Sequence, residues 1–173
     1  VARLIGVDEA GLGPNLGPLV VAVTVWDVPE PPRAFDFWGM FSDVLTNAPR
    51  PNETRLHVAD SKQVFQPQRG FGGLERGVLA ALQLMGHEPR SFDALRELLD
   101  QDGRFGDATH GVAPWYDGLP FELPAMACHD FEIVEAWKNC CDHHGIQLVA
   151  IKAAIVEPQR FNHLVRECDN KSL

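Results

Sequence analysis

The chain has 173 residues, 45% hydrophobic and 23% charged, a composition that suits one folded globular domain and excludes wholesale disorder. Its 15 Lys and Arg stand against 24 Asp and Glu, a net charge of −9. That balance argues against a surface built to neutralise phosphates, although a site for divalent cations must itself be acidic. No apolar run approaches the roughly 18 residues of a membrane-spanning helix. The opening Val1-Ala2-Arg3 carries no signal-peptide pattern, and four cysteines, two of them adjacent, are too few for a disulfide scaffold. The expectation is no membrane partner and a reducing, cytoplasmic setting.

In chain order, residues 3–8 read as a buried strand ending in acid, and residues 19–26 as a second, β-branched strand. Between them Gly11-Leu12-Gly13-Pro14-Asn15-Leu16-Gly17-Pro18 is a turn-rich connector, short enough for a hairpin. Residues 27–53 hold five prolines and read as irregular, with Phe35, Phe37, Trp38 and Phe41 as a satellite cluster. Leu74, Val78, Leu82 and Met85 recur at helical spacing, with Gly86 as the stop signal. Ser91 to Leu99 reads as a short helix, and residues 100–129 as a long surface excursion. Asp130 is placed to cap a helix running to His144, with Ile133, Trp137, Cys140 and Cys141 inward and Gly145 ending it. Residues 146–156 read as a strand. Pro158 opens a last helix with Phe161, Leu164, Val165 and Cys168 as its stripe. The pattern predicts a mixed α/β sheet with flanking helices.

Four groups of residues could carry chemistry. Asp8-Glu9 places two adjacent carboxylates at the end of an apolar strand. Strand neighbours point to opposite faces, so the two converge only if the strand ends there and the backbone turns at Gly11. A cation would relieve their repulsion, and so would a solvated acidic turn. The glycine connector could bring N–H groups to a phosphate. Its G-x-G-x-x-x-G spacing and Pro14 fit neither a dinucleotide fingerprint nor a Walker loop. Asp60-Ser61-Lys62 could hold a phosphate through Ser61 and Lys62, or be an ordinary helix cap followed by an exposed lysine. Cys140-Cys141-Asp142-His143-His144 has metal-ligand residue types at spacings that diverge on a helix, so no zinc is expected there.

The first three groups occur together and in order. Ile5-Gly6-Val7-Asp8-Glu9-Ala10-Gly11-Leu12-Gly13-Pro14, then Gly17-Pro18-Leu19-Val20-Val21-Ala22, then Asp60-Ser61-Lys62, resemble the type 2 ribonuclease H family, ribonuclease HII. The stretch from Ala153 to Leu173, with its Asn170-Lys171-Ser172-Leu173 ending, is similar too. Residues 86–145 have no counterpart and read as an insertion within one partial domain spanning 1–173.

The resemblance implies a ribonuclease H-like mixed sheet, incomplete at its C-terminus. It implies an endonuclease that uses Mg²⁺ or Mn²⁺ on RNA in RNA–DNA hybrids or on ribonucleotides embedded in DNA. It implies Asp8 and Glu9 as catalytic metal ligands, Gly11, Leu12 and Gly13 as the turn that senses the ribose 2′-hydroxyl, and Ser61 and Lys62 as the phosphate-contacting pair. Two ions about 4 Å apart would need several carboxylates, and backbone groups can read the 2′-hydroxyl that separates RNA from DNA.

Two departures stand out. Leu12 replaces the family's Arg, and the family's two further acidic ligands lie beyond the last matched helix. The expectation is therefore a piece of a longer nuclease that is inactive alone. The alternatives are a nuclease-like binding or scaffold module that does not cut, and an actin-type sugar kinase or ATPase domain. Glu9-Ala10-Gly11 departs from the opening pattern of the latter.

Overall fold

A computed structural model describes residues 1–10, 17–29, 31, 35–65, 67–68, 70–100, 121–127 and 130–168. The molecule is mixed α/β. A three-stranded antiparallel sheet has the order β1-β2-β5, from β1 (Ala2–Ala10), β2 (Leu19–Val28) and β5 (Gln147–Val156). A second, two-stranded sheet pairs β3 (Leu45–Thr46) with β4 (Leu56–His57) in parallel. Among the described residues six helices accompany the strands: α1 (Phe37–Met40), α2 (Ser61–Val64), α3 (Gly72–Leu84), α4 (Phe92–Leu99), α5 (Phe131–His144) and α6 (Pro158–Cys168).

Strands form where the β-branched residues are densest. Val20, Val21, Val23, Thr24 and Val25 make β2 the central strand, hydrogen-bonded on both sides. The β1–β2 pair is the expected antiparallel hairpin, but both strands run two residues past their expected ends at residues 8 and 26, to Ala10 and Val28. β5 then pairs with β2 rather than with β1, with one register shift between Val25 and Trp26.

Register decides which residues face inward. Opposed residues share a face, so Leu4, Trp26 and Leu148 lie together on one side, and Ala2 and Val28 with them. That side carries the core, in which Trp26, Val28, Phe41, Leu45, Leu56, Trp137, Cys141, Ile146 and Leu148 are all buried. Ile5 and Val7 belong to the opposite face and are 58% and 66% exposed.

The aromatic cluster of residues 35–41 is no satellite. Phe41 is fully buried, with its ring 6.0 Å from Trp26 and 6.1 Å from Trp137, and Phe37 meets Trp26 edge-on at 5.2 Å. The prolines that made this stretch look irregular flank a one-turn helix. Asp36 caps that helix by accepting from the Gly39 N–H, and the turn delivers Phe41 to the core. Residues 44–46 then run into β3, and Leu56 N–H donates to the Val44 carbonyl.

The longer helices begin and end close to where their signals stand. Ser91 caps α4 by accepting from Ala94 N–H, and Asp130 caps α5 by accepting from Ile133 N–H. Gly145 closes α5 in the left-handed region, at φ 64°. Residues 101–120, most of the expected surface excursion, lie outside the described residues. Its end does not, and there Leu123 is buried. The Glu75 carboxylate of α3 accepts from the N–H groups of Ala125, Met126 and Ala127 at 2.6–2.7 Å. α5, which falls inside the expected insertion, sends Trp137 and Cys141 into the core.

Candidate functional site

Asp8 and Glu9 lie within β1, not beyond it. Asp8 pairs with Ala22, Glu9 with Val21, and the ladder continues to Ala10 opposite Val20. The expected turn at the strand end therefore comes too late to bring the two carboxylates round. Adjacent residues in a paired strand point to opposite faces. Asp8 shares its face with Leu4 and Ala22, and Glu9 shares the other with Ile5 and Val7. This corrects the expectation that both converge on one point at a strand end where the backbone turns at Gly11.

Both acids are exposed, and the neighbours opposite Asp8 are small: Ala22 and, one strand further, Ala153. Asp8 Oδ1 accepts from the Glu9 N–H at 2.9 Å, which bends the Asp8 side chain back along its own strand. No salt bridge among the described residues engages either carboxylate. A cation reaching this end of β1 meets hard oxygen donors that form no salt bridge among the described residues.

Gly11, Leu12 and Gly13 lie outside the described residues. Gly17, at the far end of the connector, has φ 98°, a conformation that favours glycine and turns the chain into β2.

Asp60 caps α2. Its side chain accepts from Lys62 N–H at 2.9 Å, which makes the tripeptide a helix start. Ser61 and Lys62 are exposed there, and the Lys62 ammonium makes no ion pair among the described residues. Val64, one turn on, is buried and fixes α2 to the molecule.

The two cysteines of the Cys-His segment are committed to packing, while His143 is exposed. Cys140 donates its thiol to the Met40 carbonyl at 3.2 Å, and Cys141 is buried in the core. Burial, helped by Cys140 and Asp142, pushes the Cys141 thiol up to about 12, and burial raises Cys140 as well. Neither is poised to form the thiolate a metal takes. Among the described residues, no three His, Cys, Asp or Glu side chains gather in a way that could hold a metal ion.

Two further carboxylates gave no sign in the sequence. One is the buried carboxylate of Glu75, which helical periodicity presents as one more surface charge. The other is Glu157, just past β5, whose Oε2 is buried without a hydrogen-bond partner among the described residues.

The chain matches no protein-family model, no curated protein and no solved structure. No helix among the described residues is long and apolar enough to cross a membrane.

Proposed function

We propose that the chain carries part of a metal-dependent endonuclease of the ribonuclease HII kind, acting on RNA in RNA–DNA hybrids or on ribonucleotides embedded in DNA. The observation that carries this reading is the pair Asp8 and Glu9. Both are exposed and form no ion pair among the described residues, on a paired strand that leads straight into the glycine connector. The antiparallel order β1-β2-β5 with helices around it is compatible with a ribonuclease H-like sheet. The exposed ammonium of Lys62 on the first turn of α2, which makes no ion pair among the described residues, supports its role as a phosphate contact.

The donors fit Mg²⁺ or Mn²⁺ in kind, since both ions prefer carboxylate oxygen. Set on opposite faces, Asp8 and Glu9 could each offer carboxylate oxygen to an ion but not both to the same one; a metal held at either would supply an activated water and charge stabilisation at the scissile phosphate. In number they fall short, being two carboxylates on opposite faces of one strand. That shortfall favours a second reading, a nuclease-like module that binds nucleic acid without cutting it.

A labelled duplex with one embedded ribonucleotide separates the two. The nuclease reading expects cleavage with Mg²⁺ or Mn²⁺ that EDTA stops and Asp8→Asn abolishes, with binding retained. Lys62→Ala should weaken binding and flatten its salt dependence by about one phosphate contact. Cleavage that survives EDTA or Asp8→Asn removes the metal assignment. Binding without cleavage leaves the non-catalytic module.

A further inference from the structure

β1 is an edge strand. It pairs with β2 along its whole length, and no strand pairs with its other side among the described residues. Ile5 to Ala10 are all exposed. A bare strand edge is a template for another strand, and proteins blunt such edges with proline, lysine, a bulge or a short length. β1 has none of these. It runs for nine residues, Ala2–Ala10, without proline or lysine, and its register against β2 is unbroken.

The sequence of this edge is its own complement. Opposed residues must share a face, so a two-fold axis joining two copies of β1 edge to edge passes through a residue position. Centred on Ile5, it would set Arg3 opposite Val7. Centred on Val7, it would set Ile5 opposite Glu9. Centred on Gly6, it sets Arg3 opposite Glu9 and Ile5 opposite Val7, each pair occurring twice, all on the face away from the core. Both charges then meet their opposites, and the two exposed apolar side chains cover each other. Arg3 can serve two carboxylates. Its Nε and Nη2 donate to Asp27 at 2.9 and 3.5 Å, its side chain is 60% exposed, and a guanidinium carries five N–H donors. Asp8 Oδ1 already accepts from the Glu9 N–H, so the new backbone ladder spans Leu4 to Asp8.

We propose that the chain forms a two-fold dimer through β1, antiparallel and centred on Gly6, which joins two three-stranded sheets into one of six strands. The occupant of the edge is a second copy, because the charge pattern of β1 is satisfied by β1 itself. The inference does not rest on the nuclease reading, and Asp8 stays on the other face of the sheet from the Arg3–Glu9 pairs. One strand edge is a small contact, so the dimer is a weak one.

Sedimentation equilibrium of the intact chain tests it. The average mass should rise from one chain's 19.2 kDa toward twice that value between about 10 µM and 1 mM. Arg3→Glu and Glu9→Arg each set like charges opposite each other, and each should weaken self-association at least about tenfold. Mixed in equal amounts, the two variants should associate again, because opposite charges then face each other at both ends of the ladder. If a charge variant does not fold, isotope-filtered NMR on mixed labelled and unlabelled unaltered chain decides, through NOEs between Ile5 methyls of one copy and Val7 methyls of the other. A chain that stays monomeric to about 1 mM would overturn the proposal and leave the edge to a strand of another protein. Self-association that neither charge variant weakens, or that gives no Ile5–Val7 contact between copies, would overturn it too.

Discussion

Asp8 and Glu9 are neighbours in sequence, but strand geometry sets them on opposite faces. Their chemical type was legible from the sequence, and their orientation was not. The apolar run of β1 stops at Val7, which suggested a strand end. Pairing persists through Ala10 because β2 offers Val20, Val21 and Ala22 as partners, and backbone hydrogen bonds do not require apolar side chains. Only the partner strand sets where β1 ends. The cysteines show the converse. Their place on the inner face of α5 follows from helical spacing, and their chemistry follows from that place. With its thiol pushed up to about 12 by burial, Cys141 should resist iodoacetamide at pH 8 in the folded protein and react once it is denatured. Peptide mass spectrometry reads this directly, and rapid native labelling of Cys141 would contradict its placement in the core.

Elements whose signals are local stand where the sequence puts them. Asp60, Ser91, Asp130 and Gly145 each act within one helical turn of themselves, so caps and stops can be read without knowing the fold. Elements made by distant partners were not legible. β3 and β4 are two residues each and exist because Leu45 meets Leu56 and Thr46 meets His57 across a proline-containing loop. Glu75 is the sharpest case, since its three hydrogen-bond donors lie fifty residues away. α3 and the segment at residues 123–127 are joined through that one carboxylate. Glu75→Ala should cost about 1–3 kcal/mol in denaturant unfolding, because three part-buried N–H groups lose their acceptor. Glu75→Gln, which keeps one acceptor oxygen, should cost less. A loss within about 0.5 kcal/mol for Glu75→Ala, the size of an ordinary surface substitution, would mean the segment is not held this way.

At the scale of the whole molecule, one core joins segments far apart in the chain. Trp26 of β2, Phe41 after α1 and Trp137 of α5 meet within 6.1 Å of one another. The α/β class and most elements were legible from periodicity. The sheet order and the centre of the core depend on long-range pairing that no local pattern encodes. The same separation applies to function. The motif order of Asp8-Glu9, the glycine connector and Asp60-Ser61-Lys62 is a sequence signal, whereas the metal needs donors brought together in space.

Mn²⁺ titration followed by amide NMR tests whether Asp8 and Glu9 hold a metal, and it does so independently of catalysis. Paramagnetic broadening should centre on the amides of residues 7–10 and their β2 partners Val20 to Val23, and should disappear in Asp8→Asn. Broadening centred on another acidic surface, or left unchanged by Asp8→Asn, would contradict the assignment.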